Sequence, residues 1–142
     1  MSKPVAILVH EDYQDLELWY PLLRLREEGK AVSVVSAQPN KTYFSKLEYP
    51  VIPDHGIDEV KGQDYGAVIV VGGRSAKIVA EDAKMIRFIK DAAANGALLA
   101  AISEGASAIS AAGATPKIAA RSTNELPEFC RAFFQAMSQS LR

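Results

Sequence analysis

GALLAAISEGASAISAAG (residues 96–113) joins an almost wholly apolar run to a segment of small residues through a polar turn at Ser103. The run ALLAAI (97–102) predicts a strand that is buried on both faces, and the small-residue segment after it predicts a helix. A polar side chain at a sharp strand-to-helix turn stands where it can meet a ligand. Ser103 is therefore the first candidate functional residue.

Other apolar runs of the same kind alternate with helical patterns along the chain. They are PVAILV (4–9), AVSVVS (31–36) and AVIVV (67–71), with KIAA (117–120) as a weaker fifth strand. Short buried strands that alternate with helices predict parallel βαβ units. We therefore expect a single α/β domain over residues 1–142. Its architecture should be a flavodoxin-like three-layer sandwich, in which helices cover both faces of a mostly parallel sheet.

Helical spacing of apolar residues predicts three helices, over residues 12–29, 81–96 and 122–141. Asp12 is the expected N-cap of the first helix, because a short polar side chain there can accept a backbone N–H. The turn-rich stretch 37–62 predicts a small hairpin at the edge of the sheet.

The first predicted helix carries more apolar residues than one packed face requires. They form two stripes: Leu18, Leu22 and Leu25 on one, and Leu16, Trp19, Tyr20 and Leu23 on the other. Packing on the sheet needs only one of these stripes. The second is either buried within the domain or forms a contact with another subunit.

The bulk composition indicates which partners to expect. The chain has 142 residues, with 16 Lys and Arg against 17 Asp and Glu, so neither nucleic acid nor a membrane surface is an expected partner. Cys130 is the only cysteine and lies in the apolar stripe of a predicted helix, which indicates core packing. His10 and His55 are too far apart for ligand spacing, so we expect no metal and no cofactor. Without a signal peptide or a membrane-spanning run, a cytoplasmic location is expected.

The carboxyl ends of parallel strands meet at one edge of a sheet, which is where such folds bind ligands. Residues 10–17, 72–74 and 103–105 follow three of the predicted strands. Gly72 and Gly73 let the backbone come close to a ligand. A backbone N–H of the Gly72–Gly73 turn and the N–H of Glu104 could converge near Ser103 and form an oxyanion hole.

Three stretches, in order and spacing, resemble the ThiJ/PfpI superfamily: VAILVHEDYQDLELWYPLLRLREEG, YGAVIVVGGR and GALLAAISEGA. The resemblance covers residues 4–113 and resumes at KIAARSTNELPEFCRAFF, which is similar to the closing strand and helix of the family. It implies kinship with PfpI-type intracellular proteases, deglycase- and glyoxalase-like enzymes and stress chaperones. It also implies a dimer or larger assembly, which favours a subunit contact through the helix at 12–29.

The resemblance implies roles for four residues. Glu17 matches the glutamate whose carboxyl group contacts the nucleophile, and Gly73 matches the glycine whose N–H faces the reacting oxygen. Ser103 stands at the position of the nucleophilic cysteine, and Glu104 at that of the histidine found beside it in protease-type members. A family segment is missing between about residues 113 and 121, which should leave one wall of the pocket short or open.

The serine at position 103 and the glutamate at position 104 depart from the family pattern and change the chemistry that this site can perform. A thiol is activated by lowering its pKa, whereas the hydroxyl of Ser103 needs an adjacent general base, for which Glu17 and His10 are the candidates. His10 is also a candidate ligand contact, together with Gly72, Gly73 and Glu104. The carboxylate of Glu104 would repel a developing oxyanion and favour a cationic or hydroxyl-bearing ligand, or it serves only the start of its helix. Arg74 could bind a ligand carboxylate or phosphate, or form a surface ion pair.

Three functions follow as hypotheses. The first is a ThiJ/PfpI-like domain that has lost thiol catalysis and acts through binding of a small polar ligand or homo-oligomeric assembly. The second is a serine-dependent hydrolase, or a glyoxalase- or deglycase-like enzyme, that uses Ser103 with Glu17 or His10 as base. The third is a relaxed relative that keeps the fold without a defined ligand. The combined departures favour the first hypothesis and argue against an active protease.

Overall fold

A computed structural model describes residues 3–140 of the chain. The final residue of the predicted helix 122–141 and the outermost residues of the predicted domain lie outside this range. The strands are β1 (Val5–Leu8), β2 (Val32–Ser36), β3 (Tyr43–Phe44), β4 (Pro50–Val51), β5 (His55–Gly56), β6 (Ala67–Val70), β7 (Leu98–Ile102) and β8 (Ile118–Ala120). The α-helices are α1 (Asp15–Glu27), α2 (Arg74–Ala80), α3 (Ala83–Ala94), α4 (Gly105–Ala111) and α5 (Leu126–Ser140).

Six of the strands form one parallel sheet in the order β5-β2-β1-β6-β7-β8. Side chains alternate across it as the pleat requires. In β1, Val5 and Ile7 belong to the apolar cluster on one face, while Ala6 and Leu8 belong to the cluster on the other. A strand with apolar contacts on both faces has no solvent-facing side, which is why its sequence is continuously apolar.

Helices cover both faces of the sheet. Buried residues of α1 and α5 form the core on one face, and those of α2, α3 and α4 form the core on the other. The expected flavodoxin-like three-layer sandwich is therefore confirmed. All five predicted strands are present, each shortened by one or two residues at its ends.

The start of α1 differs from the prediction. Asp12 is not its N-cap and instead has a positive φ of 64°. The backbone of Tyr13 pairs with neighbouring segments on both sides, so the chain there is still outside the helix. Gln14 is the N-cap, and its side-chain oxygen accepts the backbone N–H of Glu17 at 3.1 Å.

Three other segments also depart from the prediction. The hairpin exists as the antiparallel pair β3–β4, but it forms a sheet of its own, and the edge of the main sheet is the unpredicted strand β5. The short helix α2 was not predicted. Helix α5 begins only at Leu126, because a 3₁₀ turn over Thr123–Glu125 precedes it.

The two apolar stripes of α1 have different surroundings. Leu18, Leu22 and Leu25 are buried against the sheet and α5. Leu16 and Leu23 are 53% and 55% exposed. The second stripe is therefore not fully buried within the domain. Within residues 3–140, no helix combines the length and apolarity needed to cross a membrane.

Candidate functional site

The candidate site lies at the edge of the sheet where β1, β6 and β7 end side by side. The turns after β6 and β7 face an open cleft of about 670 Å³. Its floor is formed by the start of α1, and one wall is the chain that follows β8. The lining residues are Gln14, Glu17, Lys46, Gly73, Ser103, Glu104, Ala106, Ala119, Ala120, Arg121, Ser122 and Thr123.

Ser103 stands at the strand-to-helix turn in a strained conformation. Its φ is +50°, in the left-handed region that non-glycine residues rarely adopt. Its backbone N–H donates to the carbonyl of Ala120 at 2.7 Å, so the last strand holds the turn. The next helix passes so close to β6 that a side chain on Gly105 would collide with the carbonyl oxygen of Val70. The elbow is therefore fixed from two sides.

Glu17 lies beneath this turn and is only 3% exposed. Its Oε2 accepts the hydroxyl of Ser103 at 2.9 Å, and its Oε1 accepts the backbone N–H of Gly72 at 3.0 Å. Burial raises the pKa of the Glu17 carboxyl group, and the nearby charge of Glu104 acts in the same direction. The contact between Glu17 and Ser103 that the resemblance implied is thus present, and it joins residues 86 positions apart.

Thr123 is a member of this cluster that sequence reasoning missed. Its hydroxyl donates to Glu17 Oε2 at 3.3 Å, so Thr123 and Ser103 share one carboxylate oxygen. Thr123 begins the 3₁₀ turn before α5. No local pattern could have identified it, because the contact spans 106 positions and comes from a segment predicted to be helical.

Glu104 makes the most informative contact of the site. Its Oε1 accepts the backbone N–H of Gly73 at 2.9 Å. This hydrogen bond, together with one from the backbone N–H of Glu104 itself, lowers the pKa of the Glu104 carboxyl group. These are the two N–H groups that the sequence predicted for an oxyanion hole, and both are directed at a carboxylate of the protein. The interpretation of Glu104 as simple helix-start chemistry therefore misses its bond to Gly73.

Gly72 lies where two carboxylates approach the turn after β6. A Cβ atom there would collide with Glu17 Oε1 and lie 2.7 Å from Glu104 Oε1. The two carboxylates thus lie close together against one turn, which only glycine permits. The N–H of Gly72 is buried and bound to Glu17, and Gly72 does not line the cleft. Gly72 thus supports the site by holding Glu17.

The structure does not bring His10 into the cleft. Its backbone N–H donates to Ser75 Oγ at 2.7 Å, and its Nδ1 accepts the N–H of Glu11 at 2.8 Å. The imidazole packs edge-on against Tyr43, with ring centroids 4.9 Å apart, and burial lowers its pKa. His10 is not among the cleft residues, so its predicted role as a base or ligand contact finds no geometric support.

Two basic residues, Lys46 and Arg121, line the cleft, and Arg74 lies outside it. Lys46 lies on its rim, and its charge helps to lower the pKa of Glu104. Arg121 binds Glu125, with 3.1 Å between guanidinium and carboxylate. Arg74 forms an exposed ion pair with Asp12 at 3.4 Å, as the surface alternative predicted.

Together these contacts favour proton transfer at Ser103 over stabilisation of an anionic intermediate. A hydroxyl and an adjacent carboxylate are present at Ser103 and Glu17, which suits proton transfer. The donors that would stabilise an anionic intermediate are occupied. Within residues 3–140, no three His, Cys, Asp or Glu side chains group into a candidate metal site. Cys130 is buried in the core, and burial raises the pKa of its thiol to about 11, so it offers no nucleophile.

Known proteins are similar to this chain in sequence. A model of the DJ-1/PfpI family matches residues 3–126. An uncharacterized protein of Archaeoglobus fulgidus is 39% identical over 101 residues, which are 71% of this chain and 60% of that protein. A deglycase of Thermococcus kodakarensis is 37% identical over 109 residues, 77% of this chain and 65% of that enzyme. The chain thus spans under two thirds of the length of these relatives.

A solved structure extends the similarity to the fold. Toxoplasma gondii DJ-1, in its oxidized form, superposes with a TM-score of 0.85. The match covers 98% of this chain and 94% of that one, at 19% identity. At this identity the likeness concerns the fold alone.

Proposed function

Because the chain belongs to the DJ-1/PfpI family, as its resemblance predicted, we propose that it keeps the family domain as a binding scaffold and no longer performs thiol catalysis. We take Ser103 to stand at the position of the family cysteine. The cleft beside it, about 670 Å³ in volume, has room for a small polar molecule.

One observation carries this proposal: the Glu104 carboxylate occupies the N–H group of Gly73. An acyl-transfer enzyme needs such donors free, because they stabilise the oxygen that becomes negative in the transition state. Here that oxygen would meet a carboxylate whose lowered pKa keeps it charged at neutral pH. The site is therefore better suited to holding a ligand than to attacking one.

The loss of nucleophilic chemistry can be tested directly on the protein. The native chain and the Ser103→Ala variant are treated with a fluorophosphonate probe, and their intact masses are measured. We expect no adduct on either protein, since Ser103 lacks free oxyanion donors. An adduct on the native chain that is absent from the variant would overturn this part of the proposal.

The binding role needs a separate experiment with a matched pair of variants. Ala119 is exposed in the cleft, and Ala94 is exposed on α3 outside the cleft. We expect polar fragments that bind the native chain in saturation-transfer NMR to lose binding in Ala119→Trp, which fills the cleft, and to keep it in Ala94→Trp. Equal binding by both variants would place the ligand elsewhere, and a library without any binder would contradict the proposal.

A serine-dependent hydrolase or deglycase is the second candidate. Its support is the 2.9 Å hydrogen bond from Ser103 Oγ to Glu17, whose raised pKa suits a proton acceptor. Sequence relatives named as deglycases add to this support. This candidate requires turnover of an ester, amide or α-oxoaldehyde by the native chain and loss of that turnover in Ser103→Ala.

Self-assembly is a further part of the proposal, and an exposed apolar surface supports it. Within residues 3–140, every exposed large hydrophobic side chain belongs to α1 or to residues 44–52. These two segments touch, since the rings of Trp19 and Tyr49 lie 5.5 Å apart. The exposed members of this patch are Leu16, Leu23, Phe44, Leu47, Tyr49 and Ile52. A patch of this kind is typical of a protein–protein contact.

The proposed assembly is a homodimer through this patch. Sedimentation equilibrium should give a dimer for the native chain and a monomer for the double variant Leu16→Glu/Leu23→Glu. The control double variant Ala94→Glu/Ala111→Glu adds the same charge to exposed positions of α3 and α4 and should remain dimeric. A native monomer, or a dimer that survives the leucine replacements, would contradict the proposal.

A further inference from the structure

We propose that the Glu104 side chain is an intramolecular inhibitor of Ser103. It occupies the backbone donors that a reacting carbonyl oxygen would need, and its removal allows the Ser103 hydroxyl to be acylated. This inference goes beyond the proposed binding role, because it names the one contact that keeps the serine inert.

The first step in the argument is the position of the carboxylate. Glu104 Oε1 lies 2.9 Å from the backbone nitrogen of Gly73. The backbone N–H of Glu104 donates to the same carboxyl group. An anionic group of the protein therefore holds both donors beside Ser103.

The second step is that the other parts of a reactive site are assembled. Ser103 Oγ donates to Glu17 Oε2 at 2.9 Å, so the proton already has an acceptor. The N–H of Gly72 and the hydroxyl of Thr123 hold Glu17 in place. Only the donors for the developing oxyanion are missing, and they are missing because Glu104 has taken them.

The third step is the reaction that this arrangement would permit. With p-nitrophenyl acetate, Ser103 Oγ bonds to the carbonyl carbon while its proton passes to Glu17 Oε2. The electron pair of the carbonyl π bond moves to the carbonyl oxygen, which the N–H groups of residues 73 and 104 stabilise. The electron pair on that oxygen then re-forms the C=O bond while the bond to p-nitrophenolate breaks, and this leaving group departs with the electron pair of the broken bond. The product is acetyl-Ser103.

The size of the expected effect follows from the donors released. Losing one oxyanion donor in a serine hydrolase lowers the rate by about 10²–10³-fold. Freeing the Gly73 N–H and removing a like charge should therefore accelerate acetylation by at least about 100-fold.

The experiment compares replacements of Glu104 that differ in what they leave behind. Glu104→Ala and Glu104→Ser remove the carboxylate, and having both protects against one failing to fold. Glu104→Gln is the matched control, because its amide oxygen can still accept the Gly73 N–H. Glu128→Ala removes an exposed carboxylate of α5 outside the cleft. Acetylation by p-nitrophenyl acetate is followed by intact mass, and folding by circular dichroism.

We expect Glu104→Ala and Glu104→Ser to be acetylated at least about 100-fold faster than the native chain. Adding Ser103→Ala should abolish the gain. Glu128→Ala should remain near the native rate, and Glu104→Gln, which keeps an acceptor for the Gly73 N–H, should react more slowly than Glu104→Ala. Folded Ala and Ser variants that react no faster, an adduct that persists without Ser103, or a Gln variant as fast as Ala would each overturn the inference.

A measurement on the native chain tests the contact without any substitution. The amide NMR signals of Gly73 and Glu104 should shift together as Glu104 titrates, with a midpoint below the ordinary glutamate value of 4.5. Glu17, Lys46 and Arg121 are the other charged residues that line this cleft, and the raised pKa of Glu17 separates its titration from that of Glu104. Amide signals that ignore the titration of Glu104 would refute the contact. Failure of the acetylation experiment alone leaves the proposed binding role intact, because ligand binding to the Ala119→Trp and Ala94→Trp variants tests that role separately. Fluorophosphonate labelling of the native chain would instead overturn the proposed loss of nucleophilic chemistry.

Discussion

Replacing Glu17 with alanine removes the acceptor of three hydrogen bonds at once. The backbone N–H of Gly72 is buried, and leaving it without an acceptor costs about 1–3 kcal/mol. The hydroxyls of Ser103 and Thr123 can turn toward water in the open cleft, so each loses about 0.5–1.5 kcal/mol. Removing a buried charge offsets part of this loss. We expect Glu17→Ala to lower the free energy of unfolding by about 2–4 kcal/mol at pH 7.

Glu17→Gln removes the charge of this side chain but keeps a hydrogen-bond acceptor, so it separates the two contributions to stability. The glutamine oxygen can still accept the Gly72 N–H, so this variant should lie within about 1 kcal/mol of the native chain. Burial raises the folded-state pKa of Glu17 above 4.5. A raised pKa contributes stability that is fully present below the unfolded-state value and is lost as the pH rises through the folded-state value. The native chain should therefore lose stability relative to Glu17→Gln above pH 4.5, by at most about 1.4 kcal/mol per pH unit.

The assay is urea unfolding of the native chain and both variants between about pH 4 and 8, followed by Trp19 fluorescence and circular dichroism. Glu128→Gln, which changes an exposed carboxylate outside the cleft, serves as the control. Two results would refute the reasoning. One is a native chain that gains stability over Glu17→Gln as the pH rises, and the other is a loss below about 0.5 kcal/mol in Glu17→Ala.

Three further predictions concern the scaffold. Gly105→Ala should lower the urea midpoint by an amount equivalent to about 1–3 kcal/mol, because the new methyl group collides with the carbonyl oxygen of Val70; an unchanged midpoint would contradict the close approach. Asp82→Ala should cost about 1 kcal/mol, because its side chain caps two backbone N–H groups of α3, and Asp82→Asn should retain most of that stability in the same urea assay. Cys130, buried and with its pKa raised to about 11, should resist iodoacetamide at pH 8 until urea unfolds the chain; rapid alkylation of the folded protein would show that the thiol is accessible.

The strands could be predicted because a strand buried on both faces has an apolar residue at every position. In β1 and β6 both faces meet helices, so every position is apolar and the run itself marks the strand. The start of α1 was not predictable in the same way. Asp12 is a good N-cap by residue type, but the backbone of Tyr13 pairs with Ser45 and Gly73, and this pairing delays the helix. Such tertiary pairing leaves no local trace in the sequence.

Some residues of the candidate site could likewise be predicted from the sequence, whereas two of its contacts could not. Ser103, Glu17 and Gly73 could be placed together because they follow neighbouring strands or match a family pattern. The bond from Gly73 to Glu104 spans 31 positions, and the one from Thr123 to Glu17 spans 106. Each depends on which way a flexible side chain turns once the fold is complete. Residue spacing carries no information about that choice.

The hydrogen bonds from the C-terminal segment to the elbow also affect the order in which the site can form during synthesis. The N–H of Ser103 needs the carbonyl of Ala120, and Glu17 needs the hydroxyl of Thr123. A ribosome makes Glu17 and the elbow well before it makes these partners. A nascent chain halted before residue 120 would lack the partner of the elbow N–H, whatever the state of the sheet behind it. The pocket can therefore be completed only after residue 123 has been added and has left the ribosome.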